Sequence, residues 1–263
     1  MNRARAARIP IENPEIGPPM SGCDRRFQRM VKGITDRCLA FGLIVLLSPL
    51  MIAIAIAAYF SMGRPVLFAQ PRPGKDSKIF TFYKYRTMVP DRGESLLDDP
   101  NYTGSAPPDS QRITPFGQFL RKTSLDELPQ LWNVLKGDMS LVGPRPLRAF
   151  YLCRYSPEQA RRHEVKPGVT GWVQVNGRNS LTWDRKFELD VWYVDHWSLW
   201  LDLKILFLTV FRVLQGAGIR KEGAYTEVVF QGSLGKEPES RREPEVPQFV
   251  TNCRSLNQKD RPS

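Results

Sequence analysis

The chain has 263 residues, enough for one sizeable domain or two small ones, and its 25% charged and 41% hydrophobic residues are an ordinary globular balance. The net charge of +11 is not ordinary and implies an anionic partner, whether nucleic acid, an acidic membrane face or a phosphorylated substrate. The four cysteines form no CxxC pair and there are only two histidines, which argues against a zinc site. Scattered single cysteines suit a reducing compartment.

Composition divides the chain into four segments. Residues 1–24 are rich in Arg, Pro and Gly without apolar periodicity, and we expect a disordered basic arm. Residues 25–62 hold a long apolar run, and residues 63–232 have the pattern of a mixed α and β domain. Residues 233–263 turn polar again, with prolines and many charges, and are expected to form a disordered tail.

The apolar run from Cys38 to Phe60 carries no charge and is long enough to cross a bilayer, since about 20 apolar residues suffice for a helix. A buried core helix is the alternative, but one that is apolar on every side is uncommon in a small soluble domain. A secretory signal fits less well, because the run starts late, is too long and lacks a clean cleavage site. The sequence therefore predicts membrane insertion.

Ser48 and Pro49 lie in the middle of this run, and proline predicts a kink there because it removes one backbone donor. Both flanks of the run are basic, and Lys and Arg prefer the cytoplasmic side of a membrane. A simple span would place one basic flank outside, whereas a helix that breaks at Ser48–Pro49 and returns keeps both inside. We expect this re-entrant helix, with a kinked ordinary span as the alternative.

The segment after the membrane helix predicts a small domain that mixes helices and strands. The expected elements are strands at 65–70 and 78–85, short helices at 116–121 and 128–135, and a strand with an Asn-Gly turn over 173–178. Clustered Trp and Tyr beside an apolar helix over 183–214 favour the membrane interface, with packing in a soluble core as the alternative.

The densest run of reactive side chains surrounds the adjacent carboxylates Asp126 and Glu127. Such a pair beside basic residues can act as nucleophile and metal ligand, or as acid and base. The alternative is a capping box formed by Ser124 and Glu127. Pro129 prefers the first helical position and would place both carboxylates just before a helix, near an N-terminus where phosphates also bind.

Two further segments favour phosphate binding, although each is weak alone. Pro144 and Pro146 restrict the backbone around Arg145, whose guanidinium suits bidentate phosphate recognition, and an exposed turn is the alternative. Glycines within 166–171 let backbone amides approach an anion, and Arg178 adds charge.

In combination these segments resemble the monotopic polyprenyl-phosphate phosphoglycosyl transferases, the bacterial sugar transferases that initiate polysaccharide and glycoprotein glycans. The resemblance covers about residues 32–232 and rests on long motifs in the family's order: FTFYKYRTM (80–88), TPFGQFLRKTSLDELPQLWNVLKGDMSLVGPRP (114–146), RRHEVKPGVTGWVQVNGRN (161–179) and FELDVWYVDHWSLWLDLKI (187–205). It implies an α+β fold, a mixed small catalytic domain anchored by an N-terminal re-entrant membrane helix and interfacial amphipathic helices.

The resemblance also implies a reaction, the transfer of a sugar-1-phosphate from a UDP-sugar to undecaprenyl (polyprenyl) phosphate with release of UMP. Asp126 would form a covalent intermediate, and Glu127 would help to hold Mg²⁺. The implied location is the cytoplasmic face of the bacterial inner membrane, with membrane lipids and downstream glycosyltransferases as further partners. The substrate-binding residues that it implies are Lys84, Arg86, Arg145, Arg178, Asp190 and Asp202.

Comparison with the family pattern adds two details. The membrane helix of members usually begins Lys-Arg-x-x-Asp, but Gly33 stands in place of the arginine, so a basic contact near the lipid head groups is lost or moved to Arg37. Larger members carry further transmembrane helices and another domain before this core, so the chain resembles the small, minimal members. The sequence 221–223, Lys-Glu-Gly, is similar to members that handle bacillosamine-type sugars.

Two other classes of protein compete with this interpretation. A nucleic-acid-binding protein is favoured only by the net charge and is opposed by the apolar run and by the lack of a recognised binding motif, so no nucleic-acid partner is expected. A non-catalytic membrane scaffold of the same fold is opposed by the intact Asp126–Glu127 pair and by Arg145.

Overall fold

Helices and short strands alternate in the computed structural model, which describes residues 22–89, 112–177, 181–214 and 230. The helices are α1 (Gly22–Met62), α2 (Pro115–Thr123), α3 (Gln130–Lys136), α4 (Pro157–Ala160), α5 (Trp172–Asn176), α6 (Trp183–Asp195) and α7 (Leu199–Leu214). The strands are β1 (Leu67–Pro73), β2 (Ile79–Tyr85), β3 (Ser140–Val142) and β4 (Gly168–Thr170), and turns of 3-10 helix lie at Lys75–Ser77, Leu125–Glu127, Ala149–Arg154 and Arg161–Glu164. The predicted α+β class is confirmed. The predicted tail and all but the last residues of the predicted arm lie outside the described residues.

Helix α1 is 41 residues long and contains the whole apolar run. Only 11% of its most apolar window is buried inside the protein, so it is not a core helix, and by length and composition it could anchor the chain in a membrane. Side chains that point outward from the run, such as Phe41, Leu46 and Phe60, are exposed. They offer the apolar surface that lipid tails would cover.

Ser48 makes a hydrogen bond that compensates for the one that Pro49 removes from α1. Pro49 has no N–H, so the carbonyl of Val45 lacks the donor that usually lies four residues later in a helix. Ser48 Oγ donates to this carbonyl at 2.8 Å. The serine thereby satisfies a carbonyl that would otherwise lack its helical partner, as a helix inside a lipid bilayer would require.

The folded domain contacts α1 near both of its ends. Lys32, before the apolar run, donates to Asp202 Oδ2 at 2.6 Å. Arg86 donates to the carbonyl of Gly63, immediately after the helix, at 3.0 Å. A helix that crossed a hydrocarbon core of about 30 Å would place these two contacts on opposite sides of a bilayer. The contacts therefore favour a helix whose two ends lie on one side, as the re-entrant prediction requires.

Two small sheets support the domain. β1 and β2 form an antiparallel hairpin in which Leu67 lies opposite Tyr85, and β3 pairs in parallel with β4. Gly143 and Gly168 lie so close together that a side chain on Gly168 would collide with the backbone of Gly143. The main core fills the space between α3, β3, α5, α6 and α7 with Leu131, Val134, Met139, Val142, Tyr193 and Ile205.

The strand predicted over 173–178 is wrong, because this segment forms α5. The apolar side chains of Trp172 and Val173 are buried against α6 and α7, and the Trp172 and Trp192 rings stack with their centroids 5.2 Å apart. Packing of a large aromatic side chain here overrides the local preference of valine for strands. The Asn-Gly pair ends this helix, with Gly177 at φ 152°, instead of turning a hairpin.

The aromatic residues of α6 and α7 divide between core and surface. Trp197 is buried, whereas Trp200 is 75% exposed. An exposed apolar stripe follows along α7 at helical spacing, formed by Leu203, Phe207, Val210 and Phe211. An uncovered stripe of this kind on a helix with an apolar face suits the surface of a membrane.

We expect residues that flank the two ends of α1 to face the same side of the membrane. In a chain whose native cysteines are replaced by serine, cysteines introduced singly as Arg26→Cys and Lys78→Cys, both at exposed positions, should react with an impermeant maleimide from one side only. Lys122→Cys, exposed on the folded domain, supplies the reference side. Opposite sidedness of positions 26 and 78 would show an ordinary span.

Candidate active site

The two adjacent carboxylates lie on the 3-10 turn between α2 and α3. Ser124, which precedes this turn, has left-handed backbone (φ 58°) and makes no side-chain capping bond, so the capping box does not form. Pro129 is the N-cap residue of α3, and Asp126 and Glu127 therefore precede that helix, as the sequence predicted. The backbone presents both carboxylates at the corner between two helices.

Asp126 is a buried acid, with 7% of its surface exposed. Burial, followed by the charge of Glu127, raises the pKa of Asp126 to about 6, and the cations of Lys84, Arg121 and Arg145 act in the opposite direction. A carboxyl group with this pKa is mainly ionised at pH 7. It is also a stronger base than an ordinary aspartate, which suits a nucleophile.

Lys84 reaches the site from β2. Burial, followed by repulsion from Arg121, lowers the pKa of Lys84 to about 8, and the charge of Asp126 partly offsets this effect. The ammonium group also lies 5.0 Å from the centre of the Phe68 ring on β1. Lys84 is therefore charged at pH 7 and titrates at mildly alkaline pH.

Arg121 is a site residue that the sequence analysis did not single out. It lies in the last turn of α2, and its Nε donates to Thr87 Oγ1 at 2.9 Å. Gly117 allows this contact, because any side chain on Gly117 would collide with the Thr87 carbonyl. The only signal in the sequence was its position five residues before Asp126, in the same basic and acidic run.

Arg145 and Glu127 form a two-pronged ion pair, with Nη2 2.6 Å from Oε1 and Nη1 3.4 Å from Oε2. Arg145 retains 42% side-chain exposure, so part of the guanidinium faces solvent. A phosphate group accepts two parallel N–H bonds from a guanidinium in the same geometry. The arginine in the Pro-Arg-Pro segment and the second carboxylate thus belong to one site, as the sequence suggested.

A buried network holds the backbone at Arg145. Arg162 Nη2 donates to the Arg145 carbonyl at 2.8 Å, and the same group lies 2.7 Å from Asp190 Oδ2. Arg162 Nη1 also donates to the hydroxyl of Tyr155 at 3.0 Å. Arg162 and Asp190 are almost completely buried, so each neutralises the other's charge. Asp190 therefore contacts the site through Arg162 and Arg145.

The remaining predicted binding residues make structural contacts. Arg86 donates to the carbonyls of Met62, Gly63 and Arg64 and so caps the end of α1. Asp202 accepts a hydrogen bond from Lys32 on α1. It also accepts hydrogen bonds from Tyr193 and Trp197. Substrate binding by Arg86, Asp190 and Asp202 stays a prediction, and Arg178 lies outside the described residues.

The carboxylates suit a metal ion that takes most of its ligands from substrate. No group of three or more His, Cys, Asp or Glu side chains that could hold a metal ion occurs within the described ranges. Mg²⁺ is commonly bound by one or two carboxylates, with phosphate and water oxygens as the other ligands. Glu127, with Asp126 beside it, fits this requirement.

A family model described as "Bacterial sugar transferase" matches residues 27–216. This chain is a member of that family. The chain is 50% identical over 204 residues to the "Uncharacterized sugar transferase EpsL" of Bacillus subtilis. The aligned region covers 78% of this chain and 97% of that protein.

Larger relatives match over part of their length. The "Galactosyl transferase CpsE" of Streptococcus agalactiae is 47% identical over 164 residues, 60% of this chain and 36% of the relative. The "UDP-glucose:undecaprenyl-phosphate glucose-1-phosphate transferase" of Escherichia coli is 39% identical over 207 residues, 76% of this chain and 42% of the relative. The chain thus spans less than half the length of these two proteins.

The charge of Lys84 should control the alkaline limb of the pH–rate profile. We expect kcat/KM to fall as the pH rises through about 8, because the pKa of Lys84 is lowered to about 8 and the ammonium group then loses its proton. Lys84→Arg keeps its charge and should remove this limb, even where its rate is lower. Lys122→Arg, at an exposed position, is the control and should retain the alkaline limb. An unchanged limb in Lys84→Arg would exclude Lys84 as its origin.

The fork of Arg145 should matter more than its charge. Arg145→Lys keeps the charge but loses the two-pronged contact, and we expect turnover to fall about 10²-fold, the loss typical of one oriented donor at a reacting anion. Expression and membrane association should not change. Arg185→Lys is the matched control, because Arg185 pairs with Glu188 at 2.8 Å on the exposed face of α6. Near-normal kinetics for Arg145→Lys would reduce Arg145 to a structural residue.

Proposed function

We propose that the chain transfers a sugar-1-phosphate from a UDP-sugar to undecaprenyl phosphate and releases UMP. The observation that carries this proposal is Asp126, a buried but mainly ionised carboxylate beside Glu127 and within the field of three cations. Such a site attracts a diphosphate and offers it a nucleophile. The names of the relatives support the substrates, since one from Salmonella typhimurium is an "Undecaprenyl-phosphate galactose phosphotransferase".

A covalent route suits two anionic substrates that would repel each other in a single transition state. In the first step a carboxylate oxygen of Asp126 forms a bond to the phosphorus that bears the sugar, and the bond from this phosphorus to the UMP oxygen breaks. UMP leaves with both electrons of that bond. In the second step a phosphate oxygen of the lipid attacks the same phosphorus, and the carboxylate of Asp126 is released unchanged.

The surrounding cations have separable tasks in this reaction. Lys84 and Arg121 lie within the electrostatic reach of Asp126 and would neutralise charge on the transferred phosphate. Arg145 is partly exposed and would orient the diphosphate through its fork. The transfer of Arg145 from Glu127 to phosphate would free Glu127 as a metal ligand.

We further propose Mg²⁺ as the cofactor, held by Glu127 with Asp126 nearby. Bound there, the ion would neutralise charge on the diphosphate and on the departing UMP. The donor set supports this choice, because carboxylate and phosphate oxygens are the ligands that Mg²⁺ prefers.

The proposed location is the cytoplasmic face of the bacterial inner membrane. The basic residues near both ends of α1, the contacts of the domain with both ends and the exposed apolar stripe of α7 support a domain seated on the membrane surface. A lipid-linked sugar phosphate is an incomplete product. Downstream glycosyltransferases would extend it, which makes this reaction the first membrane step of polysaccharide or glycoprotein glycan synthesis.

The direct test of the transferase activity is a panel of UDP-sugars with undecaprenyl phosphate and Mg²⁺. We expect UMP release together with sugar phosphate on the lipid for at least one donor. Omission of the lipid should abolish continuous turnover. No UMP release with any donor, from protein that is folded and membrane-bound, would contradict the proposed activity.

The covalent intermediate makes a separate prediction about Asp126. Mixed with donor and Mg²⁺ but no lipid acceptor, the enzyme should gain the mass of one sugar phosphate on the peptide that contains Asp126, because UMP leaves before the acceptor is needed. Asp126→Asn should abolish the adduct and lower turnover on the order of 10⁴-fold, since an amide is a poor nucleophile. Glu127→Gln should instead weaken the dependence on Mg²⁺.

Asp184→Asn is the control for this experiment, because Asp184 is exposed on the first turn of α6. It should form the adduct as the wild type does. Wild-type transfer by Asp126→Asn would show that Asp126 is not the nucleophile, and a direct metal-assisted displacement would then be the better mechanism.

A further inference from the structure

The second half of α1 packs against the folded domain along one face. Buried and half-buried side chains recur there at the three- and four-residue spacing of a helix. The members of this stripe are Met51, Ile54, Ala55, Ala58 and Met62. Ile52 and Ile56 point outward between them and are more than half exposed. One stripe of this half therefore belongs to the domain, and the outward side is available to lipid.

Ile54 enters an apolar cluster that joins α1 to β2 and α2. The buried members of this cluster are Ile54, Tyr85 from β2 and Leu120 from α2. Further apolar side chains pack against these three, namely Ala55, Val66, Phe116, Leu125 and Leu128. This cluster is the seam between the second half of α1 and the folded domain.

Tyr85 fastens the strand that carries Lys84 to this seam. Successive side chains of a strand point to opposite faces, so β2 directs Tyr85 toward α1 and Lys84 toward Asp126. The Tyr85 hydroxyl donates to the Met51 carbonyl at 2.8 Å, two residues after Pro49. A hydrogen bond and a buried ring thus hold β2 against α1 immediately beyond its proline.

The turn that carries Asp126 is held by the same seam. Leu125 and Leu128 flank the two carboxylates in the sequence, and both pack against the buried members of the seam. Leu120 is completely buried there, and the next residue, Arg121, contributes to the field at Asp126. The strand and both sides of the turn therefore meet on one stretch of α1.

We propose that Ile54 and Tyr85 are positioning residues of the transferase reaction, and that the seam fixes the distance between Lys84 and Asp126. Because protein interiors are close-packed, a gap in the seam would loosen the elements that rest on it. The second half of α1 then determines the geometry of the site as well as its location. This inference rests on the proposed function, since it assigns the effect to the chemical step at Asp126.

The test truncates Ile54 in the full chain, held in lipid nanodiscs with undecaprenyl phosphate, Mg²⁺ and either UDP-glucose or UDP-galactose. We expect Ile54→Ala to lower kcat on the order of 10²-fold, the loss that a misplacement of about 1 Å can cause. KM for the donor should stay near the wild-type value, because Arg162 holds Arg145 from outside the seam. Ile54→Val keeps most of the side-chain volume and should restore most of the lost turnover.

Matched variants separate the seam from the rest of α1. Ile52→Ala and Ile56→Ala remove the same atoms from the exposed side of the helix and should keep the wild-type kcat. Tyr85→Phe keeps the ring and loses only the hydroxyl, so kcat should fall by less than in Ile54→Ala. This variant also carries the test if Ile54→Ala does not fold. Its control is Tyr59→Phe, at an exposed position of α1.

Hydrogen exchange supplies a readout that needs no turnover. The backbone amides of residues 125–128 should exchange faster in Ile54→Ala than in the wild type or in Ile52→Ala, because the turn loses part of its support. Unchanged exchange of this turn would overturn the proposal, as would a wild-type kcat in folded Ile54→Ala or in Tyr85→Phe.

Two further outcomes would also overturn it, namely an equal loss of kcat in Ile52→Ala and a loss confined to KM. A wild-type chain that releases no UMP from either donor contradicts the transferase activity instead. The exchange of the turn would then still show whether the seam holds it.

Discussion

A carboxylate that is buried beside a second carboxylate is costly unless cations offset both charges, and this constraint organises the candidate site. The cations that offset the charge of Asp126 are Lys84 from β2, Arg121 from α2 and Arg145 from the segment after β3. These cations come from three separate elements, so the hairpin, the helical corner and the segment after β3 must pack in one arrangement for the acid to remain ionised. The same cations suit a diphosphate, so the features that stabilise Asp126 also attract the proposed donor.

The position of this site depends on how the domain is fixed to α1. Asp202 binds Lys32 while it is itself held by Tyr193 and Trp197, and Arg86 caps the other end of the helix. These polar contacts tie the domain to both ends of α1, the helix that contains Pro49. A lipid phosphate cannot leave the bilayer, so an enzyme that acts on it needs its nucleophile at a constant depth. Residues far from Asp126 can therefore affect turnover through the placement of the domain.

The sequence predicted best where a local pattern decides the structure. The apolar run, the hairpin strands and the helix that ends at Gly137 follow from periodicity and from backbone preferences, and the structure confirms them with shifts of a few residues. The strand expected over 173–178 failed because burial of Trp172 against α6 decides that segment. Long-range pairing was also beyond the sequence: the Arg162–Asp190 pair and the contact of Arg121 with Thr87 join residues whose spacing carries no periodic signal.

The central claim is that sugar phosphate resides on the enzyme after UMP has left and before lipid is bound. Isotope exchange tests it most directly, with labelled UMP, unlabelled UDP-sugar and Mg²⁺ and with no polyprenyl phosphate present. Reversal of the first step should place label in the UDP-sugar pool at a rate that depends on Asp126 and not on lipid. If label enters UDP-sugar only when the lipid acceptor is added, the phosphosugar is never held by the protein alone, and the two-step mechanism is wrong.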